Sequence, residues 1–204
     1  MNNFEKLTEL FKKFPGIGPR QAQRFVYFLL TRNKSYIDEL QNLIKEVRKE
    51  TSICKNCFRY FSHNGSKMPT CNICSNEGRE SATIMIVSRD IDLENLEKAG
   101  NFKGKYFCLG GTLPILEKEP EKKIRINELL KKVETEGSQI KEIIIAMNTT
   151  MEGENTEDYL REQLNLAIEK FGFKITTLGK GLSTGAELEY ADPETLQSAL
   201  KNRQ

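Results

Sequence analysis

Apolar residues recur at spacings of three and four through the first fifty residues and predict three amphipathic helices, at about residues 4–13, 19–31 and 35–50. The first two helices have matching apolar faces, formed by Phe4, Leu7, Leu10, Phe11 and Phe14 on one and by Ala22, Phe25, Val26, Leu29 and Leu30 on the other. The third carries Ile37, Leu40, Ile44 and Val47 on one face. We therefore expect the first two helices to pack against each other around their short connection.

The pattern changes at residue 82, where short β-rich runs begin to alternate with helical segments. Such alternation is typical of a three-layer α/β domain. The predicted strands are Thr83–Val87, Tyr106–Leu109, Glu142–Met147 and Phe173–Leu178. The predicted helices are Ile91–Ala99, Ile126–Val133, Thr156–Phe171 and a last one capped by Asp192 with Pro193 at its first position. Glu117–Lys123 is predicted to be a charged loop.

These elements define an α+β multidomain chain in four parts. We expect a helix-hairpin-helix region at residues 1–52 and a small four-cysteine finger at 53–80. An α/β domain with a mostly parallel central sheet follows at 81–180, and residues 181–204 form a C-terminal segment ending in a helix.

Charge is distributed unevenly along the chain. Residues 1–80 hold 14 Lys/Arg against 8 Asp/Glu, whereas the remainder holds 17 against 21, although the net charge of all 204 residues is only +2. The first part thus carries a net positive charge that suits binding to nucleic acid. The alternative is that its basic residues are only solvated surface. No apolar run is long enough to span a bilayer, and the first residues do not resemble a signal peptide. Five cysteines then indicate a reducing cytoplasm and favour metal ligation over disulfides.

The connection Phe14-Pro15-Gly16-Ile17-Gly18-Pro19-Arg20 lies directly ahead of a basic helix. Its two glycines allow tight backbone geometry, and Pro19 fits a first helical turn. The N–H groups at the start of that helix can then bind an anion, with Arg20 and Arg24 beside them. This arrangement predicts a clamp for the DNA backbone; the alternative is an ordinary corner between two helices.

Four cysteines occur as two Cys-x-x-Cys pairs, Cys54 with Cys57 and Cys71 with Cys74. Two such pairs supply the closed tetrahedral thiolate shell of a structural Zn²⁺, which leaves no position for a catalytic water. A redox role is disfavoured because a redox Cys-x-x-Cys is expected to occur singly. The fifth cysteine, Cys108, is predicted to be a small buried hydrophobic residue. The only histidine, His63, is predicted to be a solvated loop residue. The alternative is that it serves as a reserve metal ligand.

An acidic segment follows the predicted buried strand that begins at Glu142. Glu152 and Glu154 lie in the loop Asn148–Glu154, ahead of a helix that we expect to open at Asn155 or Thr156. Carboxylates at this end of a parallel strand could hold Mg²⁺ or meet a basic partner. Equally, they could stabilise the dipole of the next helix.

The order of these motifs resembles the RecR family of bacterial recombination mediators over nearly the whole chain. The resemblance rests on the glycine hairpin, the finger containing Cys71-Asn72-Ile73-Cys74-Ser75-Asn76, and the segment from Gly185 to Asp192. It implies that the α/β part is a Toprim domain and that the protein has no enzymatic activity. It also implies DNA binding to single and double strands without marked sequence preference, and a ring or clamp of several copies. The family works with RecO, and in some organisms RecF, to load RecA on single strands.

By resemblance, Gly16, Gly18, Arg20 and Arg24 face DNA, and the four paired cysteines bind zinc. Asn148, Thr150, Glu152 and Glu154 match the Toprim acidic loop that contacts RecO, and the segment 185–192 matches a Walker-B-like motif near a subunit contact.

The chain departs from the patterns of its relatives at several positions. Ser88 stands where Toprim enzymes have a glutamate, and Asn148 and Thr150 replace their two aspartates, which argues against Mg²⁺-dependent strand chemistry. Ser183 and Ala186 stand where the family usually has Pro and Gly. The main alternative is a Toprim-type metal-dependent enzyme resembling topoisomerases, primases or nucleases. A zinc-finger transcription regulator is disfavoured because no helix rich in base-reading residues appears.

Overall fold

The computed structural model describes residues 1–63, 68–182, 184–185 and 187–202. The chain divides into two compact units, one comprising Met1–Ser52 and a second that begins at Ile53. The first is helical and the second contains a parallel sheet flanked by helices, so the predicted α+β class is confirmed.

The first unit consists of α1 (Asn3–Lys12), α2 (Pro19–Leu30) and α3 (Lys34–Glu50), as the apolar spacing predicts. Asn2 begins α1 through a capping box, in which its side chain accepts the Glu5 N–H at 2.9 Å and its own N–H donates to the Glu5 carboxylate at 3.0 Å. Aromatic contacts join α1 to α2, with ring centroids 5.1 Å apart for Phe4 and Tyr27. In contrast, α3 buries none of its residues completely.

The sheet of the second unit has the strand order β4-β3-β5-β6, and every neighbouring pair is parallel. Its strands are β3 (Glu80–Val87), β4 (Gly104–Cys108), β5 (Glu142–Ala146) and β6 (Lys174–Thr177). A separate two-stranded sheet, which the apolar pattern did not predict, pairs β1 (Thr51–Ile53) with β2 (Tyr60–Ser62).

The helices that accompany these strands, in chain order, are α4 (Asn72–Ser75), α5 (Asp90–Ala99), α6 (Pro120–Lys123), α7 (Ile126–Glu136), α8 (Met151–Phe171) and α9 (Pro193–Lys201). Short 3-10 helices occupy Gly137–Gln139 and Leu188–Tyr190.

Alternate residues of the parallel strands enter two different cores, one on each face of the sheet. The first core joins strand residues such as Ile86 and Ile145 to α7 and α8 through Leu129, Val133, Leu160 and Leu164. The second joins Met85 and Val87 to Leu93 of α5 and to the four paired cysteines. The cysteine segment therefore shares a hydrophobic core with the sheet and forms part of one outer layer.

The start of α8 and the segment after Glu117 also differ from the sequence-based expectation. Helix α8 begins at Met151, five residues before Thr156, because the Thr150 side chain accepts the Gly153 N–H at 3.2 Å and caps the helix there. Glycine is required at position 153, since a Cβ atom would lie 2.0 Å from the Asn148 carbonyl oxygen. The second difference is α6 inside the expected charged loop, where Pro120 supplies a favourable first helical residue.

Candidate nucleic-acid interface and metal centre

The connection between α1 and α2 is a tight turn that leads directly into a helix. The Phe14 carbonyl accepts the Ile17 N–H at 3.1 Å, which closes a four-residue turn with Pro15 second and Gly16 third. Gly16 has φ +74°, so the segment has the residue pattern of a type II turn, in which the third residue needs positive φ. Gly18 instead has φ −81° and extended backbone, and it serves as the N-cap of α2 ahead of Pro19.

The start of α2 offers donors and positive charge to an anion. No side chain of the described residues caps this helix, so its first N–H groups keep the unsatisfied state that helix N-termini have in isolation. Arg20 and Arg24 lie one turn apart and are exposed, and within the described parts of the chain neither forms an ion pair. The arrangement combines backbone donors, the helix dipole and two guanidinium groups, which is the chemistry that binds phosphate.

The four paired cysteines form the metal centre that their spacing predicts. Cys54, Cys57 and Cys71 are 0% exposed and Cys74 is 8% exposed. All four Sγ atoms lie within 4.8 Å of one another, and the Sγ atoms of Cys57 and Cys71 are 3.6 Å apart. Sulfurs at the usual Zn–S distance in a tetrahedron are about 3.8 Å apart, so the cluster fits a tetrahedral ion. The Cys71 N–H also donates to Cys54 Sγ at 3.3 Å.

The thiols of the centre share hydrogen bonds, so each affects the ionisation of its neighbours. Hydrogen bonds from the neighbouring cysteines, with Cys57 the largest contributor, hold the pKa of Cys54 far below its usual range. The bond with Cys54, together with burial, raises the pKa of Cys57 far above it. One thiolate is thus stabilised while ionisation of its neighbour is opposed. A divalent cation supplies the positive charge that allows all four sulfurs to ionise together.

Backbone and ring contacts fix the finger to the end of β4. The Cys108 N–H donates to the Cys57 carbonyl at 2.7 Å. The next residue, Phe58, has φ +60°, the only positive φ at a non-glycine residue in the described ranges, and its ring lies 5.3 Å from that of Phe107. Arg125 braces the junction, because it donates to the Cys108 carbonyl at 2.8 Å and lies 5.8 Å from the Phe58 ring centroid. No sequence signal indicated this contribution of Phe58 and Arg125.

The prediction for Cys108 is confirmed by the structure, whereas the prediction for His63 is not. Cys108 is completely buried, and desolvation raises the pKa of its thiol to about 12, so it is a core residue as predicted. His63 follows β2 and is half-buried, with a buried Nδ1 that has no hydrogen-bond partner among the described residues. The expectation of a solvated loop histidine is therefore wrong, since part of the ring is packed away from water. Among the residues described, the metal-ligating group contains the four cysteines and not His63.

The acidic residues lie in the first turn of α8 rather than in a loop, and both already have partners. Glu152 accepts a hydrogen bond from the Thr112 hydroxyl at 3.1 Å, and Glu154 forms an ion pair with Lys180 at 2.7 Å. Of the matching polar positions, Thr150 caps α8, and its N–H donates to the Asn148 carbonyl at 2.9 Å. At the start of a helix, the positive end of the helix dipole stabilises these negatively charged carboxylates.

A cleft of about 650 Å³ opens beside this turn, at the carboxyl ends of β5 and β6. Its charged lining is mostly acidic and comprises Glu154, Glu157, Lys180, Asp192 and Glu194. The hydrogen bond with Glu154 raises the pKa of Lys180, as do the nearby charges of Glu157 and Glu194. Lys180 was not singled out in the sequence because it belongs to no motif; only folding brings it to Glu154.

Ser88, at the end of β3, helps to begin a helix. Its hydroxyl donates to the Asp92 carboxylate at 2.5 Å, and the same oxygen accepts the Arg89 N–H at 3.0 Å. In the C-terminal segment, Gly185 has φ +85°. Asp192 caps α9 by accepting the Thr195 N–H at 2.9 Å. Ser183 and Ala186 lie outside the described residues.

The architecture defines a class of protein that combines a helix-hairpin-helix, a four-thiol metal centre and a Toprim domain. Three family profiles match, described as RecR helix-hairpin-helix over residues 4–48, Toprim domain over 82–178 and RecR C-terminal over 181–204. Within the described residues, no helix is both long and apolar enough to cross a membrane.

Curated relatives extend this match over almost the whole chain. Recombination protein RecR of Bacteroides thetaiotaomicron is 36% identical over 98% of this chain and 92% of its own length. The proteins of the same name from Gloeobacter violaceus and Rickettsia typhi are each 37% identical, over 97% and 100% of this chain and 95% and 96% of their own lengths. The chain belongs to the RecR family of recombination proteins.

Proposed function

We propose that this protein is a DNA-binding mediator of recombinational repair that has no catalytic activity of its own. The observation that carries the proposal is the start of α2, where an uncapped helix end, a glycine turn, Arg20 and Arg24 lie together in a region matched by the RecR helix-hairpin-helix. Such a site contacts phosphates and reads no base edges. Binding is therefore expected to single- and double-stranded DNA with little sequence preference.

A Toprim domain also occurs in enzymes, so a metal-dependent DNA-processing activity is the second candidate, favoured by the match over residues 82–178. The side chains at the strand ends argue against it. Ser88, Asn148 and Thr150 provide no carboxylate, and Ser88 and Thr150 are occupied in beginning α5 and α8. Glu152 and Glu154 remain, but they already contact Thr112 and Lys180, and Ser88 stands where a Toprim enzyme has the glutamate that serves strand chemistry as acid or base.

For the metal centre we propose one structural zinc ion per chain, bound by Cys54, Cys57, Cys71 and Cys74. Thiolates select soft or borderline ions, and four of them in a closed shell suit Zn²⁺. The ion would supply folding energy to a segment whose cysteines occupy the second core of the sheet.

Two further contacts belong to the same proposal. The first turn of α8 and the loop before it (Asn148, Thr150, Glu152, Glu154) dock a basic surface of RecO, and RecF is the second partner proposed in loading RecA. Self-association into a dimer or tetramer, as a ring or clamp, is supported by the exposed apolar face of α3, where Leu43, Ile44 and Val47 are 50–60% exposed. An intracellular, cytoplasmic location follows from this role.

The proposed DNA contact is tested with the double variant Arg20→Ala/Arg24→Ala. We expect weaker binding to every DNA sequence, with the slope of log Kd against log salt reduced by about two units, because each lost phosphate contact removes about one. The control is Lys98→Ala/Lys131→Ala, which removes the same charge from exposed positions on α5 and α7. Equal affinity and salt slope for both double variants and the unmodified protein would overturn the hairpin assignment.

A further inference from the structure

Phe14 is an exposed aromatic residue at the turn that leads into α2. Its side chain is 54% exposed, although it continues the apolar spacing of α1. The residue closes the glycine turn through its carbonyl, four positions ahead of the N-cap Gly18. The turn thus presents an aromatic ring to solvent immediately before the proposed phosphate-binding helix end.

The ring of Phe14 contacts one neighbouring ring, which does not cover it. Phe14 and Phe11 meet at an interplanar angle of 88°, with centroids 5.6 Å apart, and Phe11 in turn meets Phe25 at 75° and 5.7 Å. An edge-to-face contact of this kind restrains a side chain but leaves aromatic surface free. In the described parts of the chain, no ring stacks parallel on Phe14. The side chain is therefore a restrained platform with free surface.

We propose that Phe14 stacks on an unpaired base of single-stranded DNA whose phosphates contact the start of α2. This inference rests on the proposed function, because it needs the backbone to be bound there. Stacking on an aromatic ring is tolerant of sequence, since every base has a π-face. In a duplex the bases are already stacked, so Phe14 gives the hairpin a preference for single strands that phosphate contacts alone do not give.

Charge and exposure favour a nucleic-acid base over an apolar protein surface as the occupant. Lys13, Arg20 and Arg24 flank the turn and are exposed, Lys12 is paired with Glu9 at 2.8 Å, and no carboxylate is present from Phe11 to Leu30. A cationic surround with one aromatic group at its centre is the arrangement that binds single-stranded nucleic acid. Stacking also releases no counterions, so the contribution of Phe14 is separable from that of the arginines.

The test compares Phe14→Ala and Phe14→Tyr for binding to a thymidine oligonucleotide and to a duplex of mixed sequence, by fluorescence anisotropy at several salt concentrations. We expect Phe14→Ala to weaken single-strand binding about fivefold or more and to leave duplex binding within about twofold. The salt slopes should not change. Phe14→Tyr should keep the single-strand affinity because its ring still stacks. Leu30→Ala, at the far end of α2 and 69% exposed, is the control for loss of an exposed apolar group.

A second variant and a second readout test the same contact between Phe14 and a base. Phe14→Leu preserves apolar volume if the alanine variant fails to fold, and it should still lose single-strand affinity. An oligonucleotide with 2-aminopurine should be quenched by the unmodified protein and less by Phe14→Leu. Unchanged single-strand binding in both variants, or equal loss for single strands and duplex, would overturn the inference. Those results leave the proposed function standing if Arg20→Ala/Arg24→Ala still weakens both DNA forms.

Discussion

The carbonyl of Cys57 accepts a 2.7 Å hydrogen bond from the N–H of Cys108, so the first metal-binding turn is joined to the end of a sheet strand. The side chains of both residues are 0% exposed and belong to the same hydrophobic core. The metal centre is therefore not an independent finger, because its folding and the packing of one face of the sheet depend on each other.

The first prediction concerns loss of the metal. Purified protein should contain one zinc ion per chain, and Cys71→Ser should lower both the zinc content and the melting temperature of the sheet-containing unit. A decrease of at least about 5 °C is expected, since about 2 kcal/mol corresponds to this shift in a chain of this size. Metal analysis and thermal unfolding followed by circular dichroism measure the two quantities.

Cys108→Ala is the matched control for this experiment, because it removes a buried thiol from the same core without removing a proposed ligand. It should retain full zinc content and lose only the small packing contribution of one sulfur atom. Fresh protein that contains no zinc after purification without chelators would contradict the assignment of the centre.

A second prediction concerns Gly153, in the first turn of α8. Substitution by alanine places a Cβ atom 2.0 Å from the Asn148 carbonyl oxygen, so the strand-to-helix connection must shift. We expect Gly153→Ala to lower the free energy of unfolding by about 1–3 kcal/mol, the usual range for overpacking, as measured by urea titration. The control is Gly179→Ala, where a Cβ atom meets none of the described residues within 4 Å. Equal stability of the two variants would show that the connection yields without cost.

A third prediction separates partner docking from helix stabilisation at Glu152. Charge reversal by Glu152→Lys removes the hydrogen bond from Thr112 and a favourable helix-dipole interaction, which together should change stability by only about 1 kcal/mol. If the first turn of α8 binds RecO, the same variant should lose much more affinity, because repulsion is added to the lost attraction. Calorimetric titration with RecO measures the effect.

The control for Glu152 is Glu162→Lys, which makes the same charge change at an exposed position further along α8. It should bind RecO as the unmodified protein does. If the Glu152→Lys protein is folded and its RecO affinity is unchanged, then Glu152 does not bind RecO and only stabilises the start of the helix.

Local chemistry determined most of the elements in advance. The spacing of apolar residues located α1 and α3, and the Asp192 cap located α9, because a helix end is satisfied by its own near neighbours. The four parallel strands follow from short β-rich runs separated by helices. The metal centre follows from spacing alone, since each Cys-x-x-Cys turn brings its two sulfurs together before any tertiary packing.

Only the tertiary structure decided the relationships between residues that are distant in sequence. Helix α8 starts at Met151 because Gly153 lets the chain pass close to Asn148, and that requirement is invisible in apolar periodicity. Phe58 has a positive φ, and its ring packs on Phe107. The carbonyl of the residue before it, Cys57, accepts a hydrogen bond from β4. Lys180 forms an ion pair with Glu154, which lies 26 positions earlier in the sequence. Such contacts depend on where the sheet places its ends, whereas helix caps and metal-binding turns depend only on residues a few positions apart.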